Sequence, residues 1–198
     1  MDDIKSQITA VILAGGRNIR FGGSDKAFAL IAGAPMVSYT ICNLLKVFKN
    51  ILVITDTPER YSIFNNVAFA SDLLKDFGPL GGIHAAMRHV KTPYIFVVSC
   101  DMPYIDAEII RGQIYQLAGL IHIDAIIPRL NYNLEPLHAI YATRLAETLE
   151  KFLSASDNYS IKTFLKELNV KYYDLYVDDS VKKAFSNINI PRELPESG

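Results

Sequence analysis

The 198-residue sequence is poor in the residues that build disulfides or zinc sites, and it lacks a long apolar run. Its two cysteines are Cys42, in a helical pattern, and Cys100, at the end of an apolar strand pattern. This placement argues against a disulfide framework and against a zinc site, and it favours a reducing, cytoplasmic setting. No apolar stretch approaches the roughly 20 residues that cross a bilayer, and the first residues lack a signal-peptide pattern. We therefore expect no membrane partner.

An excess of positive charge is also missing. Twenty Lys and Arg residues stand against 21 Asp and Glu residues, which gives a formal net charge of −1. Nucleic-acid-binding domains usually carry a basic surplus, so we expect no nucleic-acid partner. The length fits one domain over residues 1–198, and no repeat or linker divides the chain.

Strand and helix patterns alternate along the chain. Apolar, β-branched runs predict strands, and apolar residues at helical spacing predict helices. The predicted strands are residues 8–13, 51–54, 67–70, 94–99, 124–128, 137–141 and 171–175, and the predicted helices are 36–48, 79–90, 107–120, 144–153 and 161–168, with a short helix from Pro58. This order predicts an α/β, Rossmann-like, three-layer fold, in which a mainly parallel sheet carries helices on both faces.

The carboxyl ends of parallel strands share one edge of such a sheet, and ligands of open α/β folds bind along that edge. Four segments follow predicted strands there: residues from Gly15 onward, Thr55-Asp56, Ser71-Asp72 and Cys100-Asp101. These segments are the candidate site.

The segment after the first predicted strand, residues 13–26, reads LAGGRNIRFGGSDK. It matches neither the P-loop, because no Gly-Lys-Ser/Thr follows, nor the G-x-G-x-x-G fingerprint of dinucleotide-binding folds. Glycine backbone approaches an anion closely, Arg20 can donate forked hydrogen bonds to phosphate, and Lys26 supplies a compact positive charge. These features favour a triphosphate site over the alternative, a surface loop with solvated charges.

This segment resembles the signature L-A-G-G-x-x-x-R-M-G-x-D-K of the molybdenum cofactor guanylyltransferases, which belong to the nucleotidyltransferase superfamily. Phe21 stands where the signature has methionine, and Gly23 is an additional glycine. The matching residues are Leu13, Ala14, Gly15, Gly16, Arg20, Gly22 and Lys26.

Further segments resemble motifs of the same family, so that the likeness covers essentially the whole chain. They are Asp72 with GPLGGI (78–83), CDMP (100–103), EPLHAIY (135–141) and FSNINIPREL (185–194). One departure concerns Thr55-Asp56, where the family often has an asparagine that helps to bind the nucleotide. We assign no role to these two residues.

The resemblance implies a nucleotidyltransferase fold and transfer of GMP from GTP to molybdopterin, or to its metal-loaded form, with release of pyrophosphate. It implies Mg²⁺ held by Asp101, and proteins of cofactor biosynthesis and molybdoenzymes as partners. The implied catalytic residues are Arg20, Lys26 and Asp101. The implied binding residues are Leu13, Ala14, Gly15, Gly16, Lys26, Asp72, Gly78, Asp101, Asn187 and Asn189, of which the two asparagines would assist the metal or contact the pterin.

Simpler structural interpretations remain open for several of these residues. Asp72 can cap a turn, and Asp101 can cap the following helix, although Asp106 is better placed to do so. The pair Asn187 and Asn189 can form a terminal turn. His138 lies among alternating apolar residues and is predicted to pack within the sheet.

Two other functions compete with guanylyl transfer. One is a different nucleotidyltransferase, acting with CTP or on a sugar phosphate. The cytidylyl relatives usually read L-A-A-G, so Gly15 favours guanine. The other is a nucleotide-binding protein without catalysis, which has no need of a metal-binding carboxylate at Asp101.

Overall fold

The computed structural model describes residues 2–14, 26–120, 122–155 and 159–188. The strands are β1 Ile8–Leu13, β2 Leu30–Ile31, β3 Ala34–Pro35, β4 Ile51–Ile54, β5 Ala68–Ala70, β6 Tyr94–Ser99, β7 Ala125–Leu130, β8 Asn133–Leu134, β9 His138–Ala142 and β10 Val170–Leu175. The α-helices are α1 Asp2–Ser6, α2 Met36–Leu45, α3 Pro79–His89, α4 Ala107–Leu117, α5 Ala146–Ala155, α6 Ile161–Phe164 and α7 Asp179–Ala184. Short 3₁₀ helices cover Lys26–Phe28, Pro58–Tyr61, Thr143–Leu145 and Leu165–Glu167.

Most of these strands form one sheet in the order β10-β7-β9-β6-β1-β4-β5, and β8 adds to β7. The pairs β1–β4, β1–β6, β4–β5 and β7–β10 are parallel, whereas β9 runs antiparallel to both β6 and β7. Two neighbouring parallel strands need a long crossover connection between them. The segment between β7 and β9 is too short for one, so β9 runs antiparallel to β7. The mainly parallel sheet is confirmed, with β9 as an exception that the sequence patterns do not reveal.

Helices cover both faces of this sheet, as predicted. Side chains alternate along β1, so that Ala10 and Ile12 enter one apolar cluster and Val11 enters the other. The first cluster includes buried residues of α2, α4 and α7, and the second includes those of α3, α5 and α6. The central strands β1, β4, β6, β7 and β9 are therefore buried almost throughout, as in sheets that are covered on both sides.

Differences from the predicted elements concern short segments and helix ends. The sequence patterns miss α1, the β2–β3 hairpin, β8 and α7. Helix α4 ends at Leu117 instead of residue 120, because Ala118 is extended and Gly119 has a φ of +76°. Among the described residues, no helix is long and apolar enough to span a membrane.

Helix α3 begins under tight steric constraints at the carboxyl edge of the sheet. Its N-cap residue, Gly78, has φ +57° and ψ −142°, a conformation that is strained for residues with a Cβ. A Cβ added to Gly81 would lie 2.5 Å from the backbone oxygen of Leu74. One added to Gly82 would lie 3.0 Å from a methyl group of Leu13. The glycines therefore let the first turn of α3 lie close to the preceding loop and to β1.

We expect Gly81→Ala to lower the free energy of unfolding by about 2 kcal/mol, because backbone must move to admit the Cβ. Gly82→Ala serves as the matched control, since the flexible end of Leu13 can shift, and its loss should stay below about 1 kcal/mol. Urea unfolding of the two variants measures both losses. Equal stability of the two variants, or a more stable Gly81→Ala, would contradict this account of the α3 start.

Candidate functional site

The predicted site residues follow strands that meet at the carboxyl edge of the sheet. Backbone hydrogen bonds tie these strand ends together: the N–H of Ala14 donates to Ile54, and the N–H of Cys100 donates to Leu13. Ala14 is buried and Leu13 is partly buried against α3. Four predicted residues, Gly15, Gly16, Arg20 and Asn189, lie outside the described residues.

Lys26 and Asp101 form the centre of the described site. The Lys26 Nζ atom donates to Asp101 Oδ2 at 2.7 Å, and the two side chains are only 9% and 19% exposed. Lys26 opens a 3₁₀ helix whose buried Ala27 packs in the core, and Asp101 lies in the turn after β6. Residues 75 positions apart in the chain are thus brought together, as the edge argument predicts.

The second oxygen of Asp101, Oδ1, is buried and has no hydrogen-bond partner in the described parts of the chain. Such an atom is costly to bury unless a donor or a cation reaches it. The capping interpretation of Asp101 is wrong, because the helix cap is another residue. Asp106 Oδ1 accepts the N–H groups of Glu108 and Ile109 at 2.6 and 3.2 Å and so caps α4.

Asp72 lies beyond the end of β5, against the start of α3. Its carboxylate oxygens would be 3.1 and 3.3 Å from a Cβ on Gly81, so the glycine makes room for this carboxylate. Burial first and the negative charge of Asp56 second raise the pKa of Asp72 to about 6, against the opposing positive charge of Lys75. Its Oδ1 atom is also buried without a hydrogen bond from any described residue.

The turn after β4 is held by threonine side chains. Thr55 is buried, and its Oγ1 accepts the N–H of Thr57 at 3.1 Å. Asp56, between them, is exposed at the same edge as Asp72. This turn thus brings a second carboxylate toward the Asp72 side of the edge.

The C-terminal segment reaches the site through its backbone. The N–H of Ile188 donates to the carbonyl of Asp101 at 2.9 Å, and the neighbouring Asn187 is exposed. Gly78, at the start of α3, is exposed on the same edge as Asp72. The structure therefore brings Asn187 to the Asp101 side of the edge and Gly78 to the Asp72 side.

His138 is not available for chemistry at this site. Its ring is fully buried between the rings of Phe96 and Phe185, with centroids 5.0 and 4.6 Å away. Burial lowers the pKa of His138 to about 4, so the ring is neutral at neutral pH. The prediction that it packs within the sheet is confirmed.

The potential for holding a metal centres on Asp101. Within the described ranges, no three His, Cys, Asp or Glu side chains converge on one point. A protein cage is therefore absent from these ranges, whereas Mg²⁺ commonly takes one or two carboxylates together with phosphate oxygens and water. The unpartnered Oδ1 of Asp101 fits a cation held in that way.

One residue at this edge escapes the sequence patterns. Glu135 is half-buried in the turn before β9, and burial raises its pKa, which the charge of Lys162 opposes. The segment EPLHAIY reads as a strand, and no pattern within it distinguishes a surface carboxylate from one at a ligand site. Only the pairing of β9 with β6 reveals the position of Glu135.

Comparison with known proteins agrees with the geometry. Residues 10–171 match the model of the MobA-like NTP transferase domain. A probable molybdenum cofactor guanylyltransferase from Peptoclostridium acidaminophilum is 35% identical, over 94% of this chain and 86% of that protein. A molybdenum cofactor guanylyltransferase from Desulfosudis oleivorans is 32% identical, over 96% of this chain and 94% of that protein.

A solved structure gives the same result. Molybdopterin-guanine dinucleotide biosynthesis protein A from Archaeoglobus fulgidus superposes with a TM-score of 0.74 at 29% identity, over 92% of this chain and 93% of that one. The nucleotidyltransferase fold expected from the sequence is thereby confirmed. Since the family model spans most of the chain and the relatives align with nearly all of it, the chain belongs to the molybdenum cofactor guanylyltransferase family of nucleotidyltransferases.

Proposed function

We propose that the protein transfers GMP from GTP to the terminal phosphate of molybdopterin and releases pyrophosphate. The observation that carries the proposal is the Lys26–Asp101 pair, in which a buried carboxylate keeps one oxygen unpartnered at the end of the central strand β6. The relatives named as molybdenum cofactor guanylyltransferases supply the choice of substrates.

This reaction suits a site without a general base. The attacking group is a phosphate oxygen that is already ionised at neutral pH, so no side chain has to remove a proton. That oxygen forms a bond to the α-phosphorus of GTP as the bond to the bridging oxygen of the β-phosphate breaks, and pyrophosphate leaves with the electron pair. The neutral, buried His138 is accordingly not needed.

The residues near Asp101 supply charge and position. Lys26 would neutralise the phosphates as negative charge develops on the leaving group, and Arg20 would hold the triphosphate. Asp101, whose Oδ1 is unpartnered among the described residues, would hold Mg²⁺, which would supply Lewis-acid stabilisation of the charge on the phosphates. Asn187 and Asn189 would assist at the metal or contact the pterin.

The nucleotide would lie along the ends of β1, β4 and β5. The backbone of residues 13–16 and the open backbone at Gly78 would receive the base and sugar. Guanine offers two adjacent donors, N1–H and its 2-amino group, and an ionised Asp72 would accept both. Gly15 has no Cβ that would stand against the base, which favours guanine.

The proposal also includes the partner proteins and the cellular compartment. The acceptor would come from proteins that deliver molybdopterin, and molybdoenzymes would take the product. The setting would be the cytoplasm, with Cys42 and Cys100 as thiols; Cys42 is exposed on α2 and Cys100 is buried.

Pyrophosphate release tests the proposed function directly. Each of GTP, CTP, ATP and UTP is incubated with the protein and Mg²⁺, with and without molybdopterin. We expect release from GTP only when molybdopterin is present. Release from another nucleotide in preference to GTP would favour a different nucleotidyltransferase, and no release under any condition would favour a nucleotide-binding protein.

We expect Asp101→Asn to lower kcat about 100-fold or more, because a neutral amide binds Mg²⁺ and the Lys26 ammonium more weakly than a carboxylate does. Asp106→Asn makes the same chemical change five residues away, and asparagine still caps α4. Steady-state rates of pyrophosphate release compare the two variants. Equal activity of Asp101→Asn and Asp106→Asn would remove Asp101 from the reaction.

The KM for GTP should rise as the pH falls through about 6, the pKa to which burial and Asp56 raise Asp72. Protonation turns the Asp72 carboxylate from a hydrogen-bond acceptor into a donor. The affinity for GTP is therefore highest above this pH and is reduced up to about 10-fold at pH 5. Asp72→Asn should raise the KM for GTP at all pH values. It should also remove the pH dependence of that KM, apart from the part that comes from titration of the nucleotide itself. Identical pH profiles for the two proteins would exclude Asp72 as the group responsible.

A further inference from the structure

Glu135 occupies a fixed place at the carboxyl edge, beside the central strand. Its N–H donates to the carbonyl of Pro128 at 3.0 Å, and its own carbonyl accepts the N–H of His138 at 3.1 Å. In the same turn, the carbonyl of Leu137 accepts the N–H of Ser99 at 3.2 Å. The turn is therefore pinned to both β7 and β6, and Ser99 is two residues from Asp101.

The order of the strands divides this edge into two halves. Strand β6, which ends near Asp101, has β1, β4 and β5 on one side and β9, β7 and β10 on the other. Asp72, Leu13 and Ala14 belong to the first half. With the nucleotide in the first half, as proposed above, the half that contains Glu135 is left for the acceptor.

The carboxylate of Glu135 has the properties of a ligand-binding group. It is half-buried, and burial raises its pKa. In the parts of the chain that the structure describes, no hydrogen bond or ion pair within 4 Å reaches it; Lys162 acts only through its charge. A carboxylate in this state gains most from a ligand that donates hydrogen bonds to both oxygens.

We propose that Glu135 is a specificity-determining residue for the acceptor and accepts hydrogen bonds from a 2-amino-4-oxo pyrimidine ring, the end group of a pterin. The inference rests on the proposed function, which supplies a pterin acceptor. A pterin presents N3–H and a 2-amino group side by side, and guanine presents the same pair. Asp72 and Glu135 would thus read the same donor pattern on the two substrates, one on each side of Asp101.

Apolar side chains next to Glu135 in the chain suit the faces of such a ring. Leu134 and Leu137 flank it and are partly buried in the cluster on the α3 side of the sheet. Tyr159 precedes α6, the helix that carries Lys162, and its ring packs edge-on against Phe77 at 4.8 Å. Tyr159 keeps 43% of its surface exposed.

The test uses the full-length protein with GTP, Mg²⁺ and molybdopterin. Glu135→Gln replaces the carboxylate by an amide of the same shape, and we expect the KM for molybdopterin to rise about 10- to 100-fold. The KM for GTP should change less than about twofold. Glu135→Asp keeps the charge but shortens the side chain, so its KM for molybdopterin should lie between those of the wild type and Glu135→Gln. Glu147→Gln, on the exposed side of α5, is the matched control and should resemble the wild type.

A second readout separates recognition of the ring from a purely structural role. The compounds 6-hydroxymethylpterin and 6-hydroxymethyllumazine, which carry an amino group and an oxygen at position 2, are compared as inhibitors competing with molybdopterin. The wild type should prefer the pterin about 10-fold, and Glu135→Gln should lose that preference. Equal inhibition of the wild type by both rings, or an unchanged KM for molybdopterin in Glu135→Gln, would overturn the inference.

The outcomes for the two proposals remain distinguishable. A wild-type protein that releases no pyrophosphate from GTP and molybdopterin overturns the proposed function and the inference with it. A wild-type protein that is active, with a Glu135→Gln variant that is equally active and equally selective for the pterin, overturns the inference alone.

Discussion

The cost of burying charge at the end of the central strand governs the arrangement of this site. Asp101 and Lys26 are both largely buried, and each offsets the desolvation of the other through a 2.7 Å hydrogen bond. The pairing leaves Asp101 Oδ1 without a partner among the described residues, so the strand end keeps an acceptor ready for a cation. The backbone N–H of Ile188 donates to the carbonyl of Asp101 and so does not compete for the carboxylate.

The topology of the sheet distributes further carboxylates around that centre. The parallel strands β4 and β5 deliver Asp56 and Asp72 on one side. On the other side, β9 is antiparallel to β6, so it is the residues before β9, not those after it, that reach the carboxyl edge. That reversal brings Glu135 to the site. A half-buried carboxylate with a raised pKa therefore lies on either side of Asp101. This arrangement suits a reaction whose two substrates each carry a ring with the same pair of hydrogen-bond donors.

Much of this architecture follows from local sequence patterns. The buried strands β1, β4 and β6 have the predicted bounds, because continuous apolar runs bounded by glycine or polar residues leave little choice. The meeting of Lys26 with Asp101 follows from the shared edge of parallel strands. The direction of β9, the position of Glu135 and the bond from Ile188 to Asp101 depend on pairings between distant segments, which leave no periodic signal. The roles of Gly15, Gly16, Arg20 and Asn189 remain predictions from the family signature.

The division of the site into a nucleotide half and an acceptor half is the central claim, and a ternary complex tests it most directly. The measurement is a crystal structure of the protein with Mg²⁺, molybdopterin and a GTP analogue whose α–β bridging oxygen is replaced by methylene. The account predicts guanine beside Asp72 at the ends of β4 and β5, and the pterin beside Glu135 between β6 and β7. Both rings on the same side of Asp101, or the two rings exchanged, would contradict it.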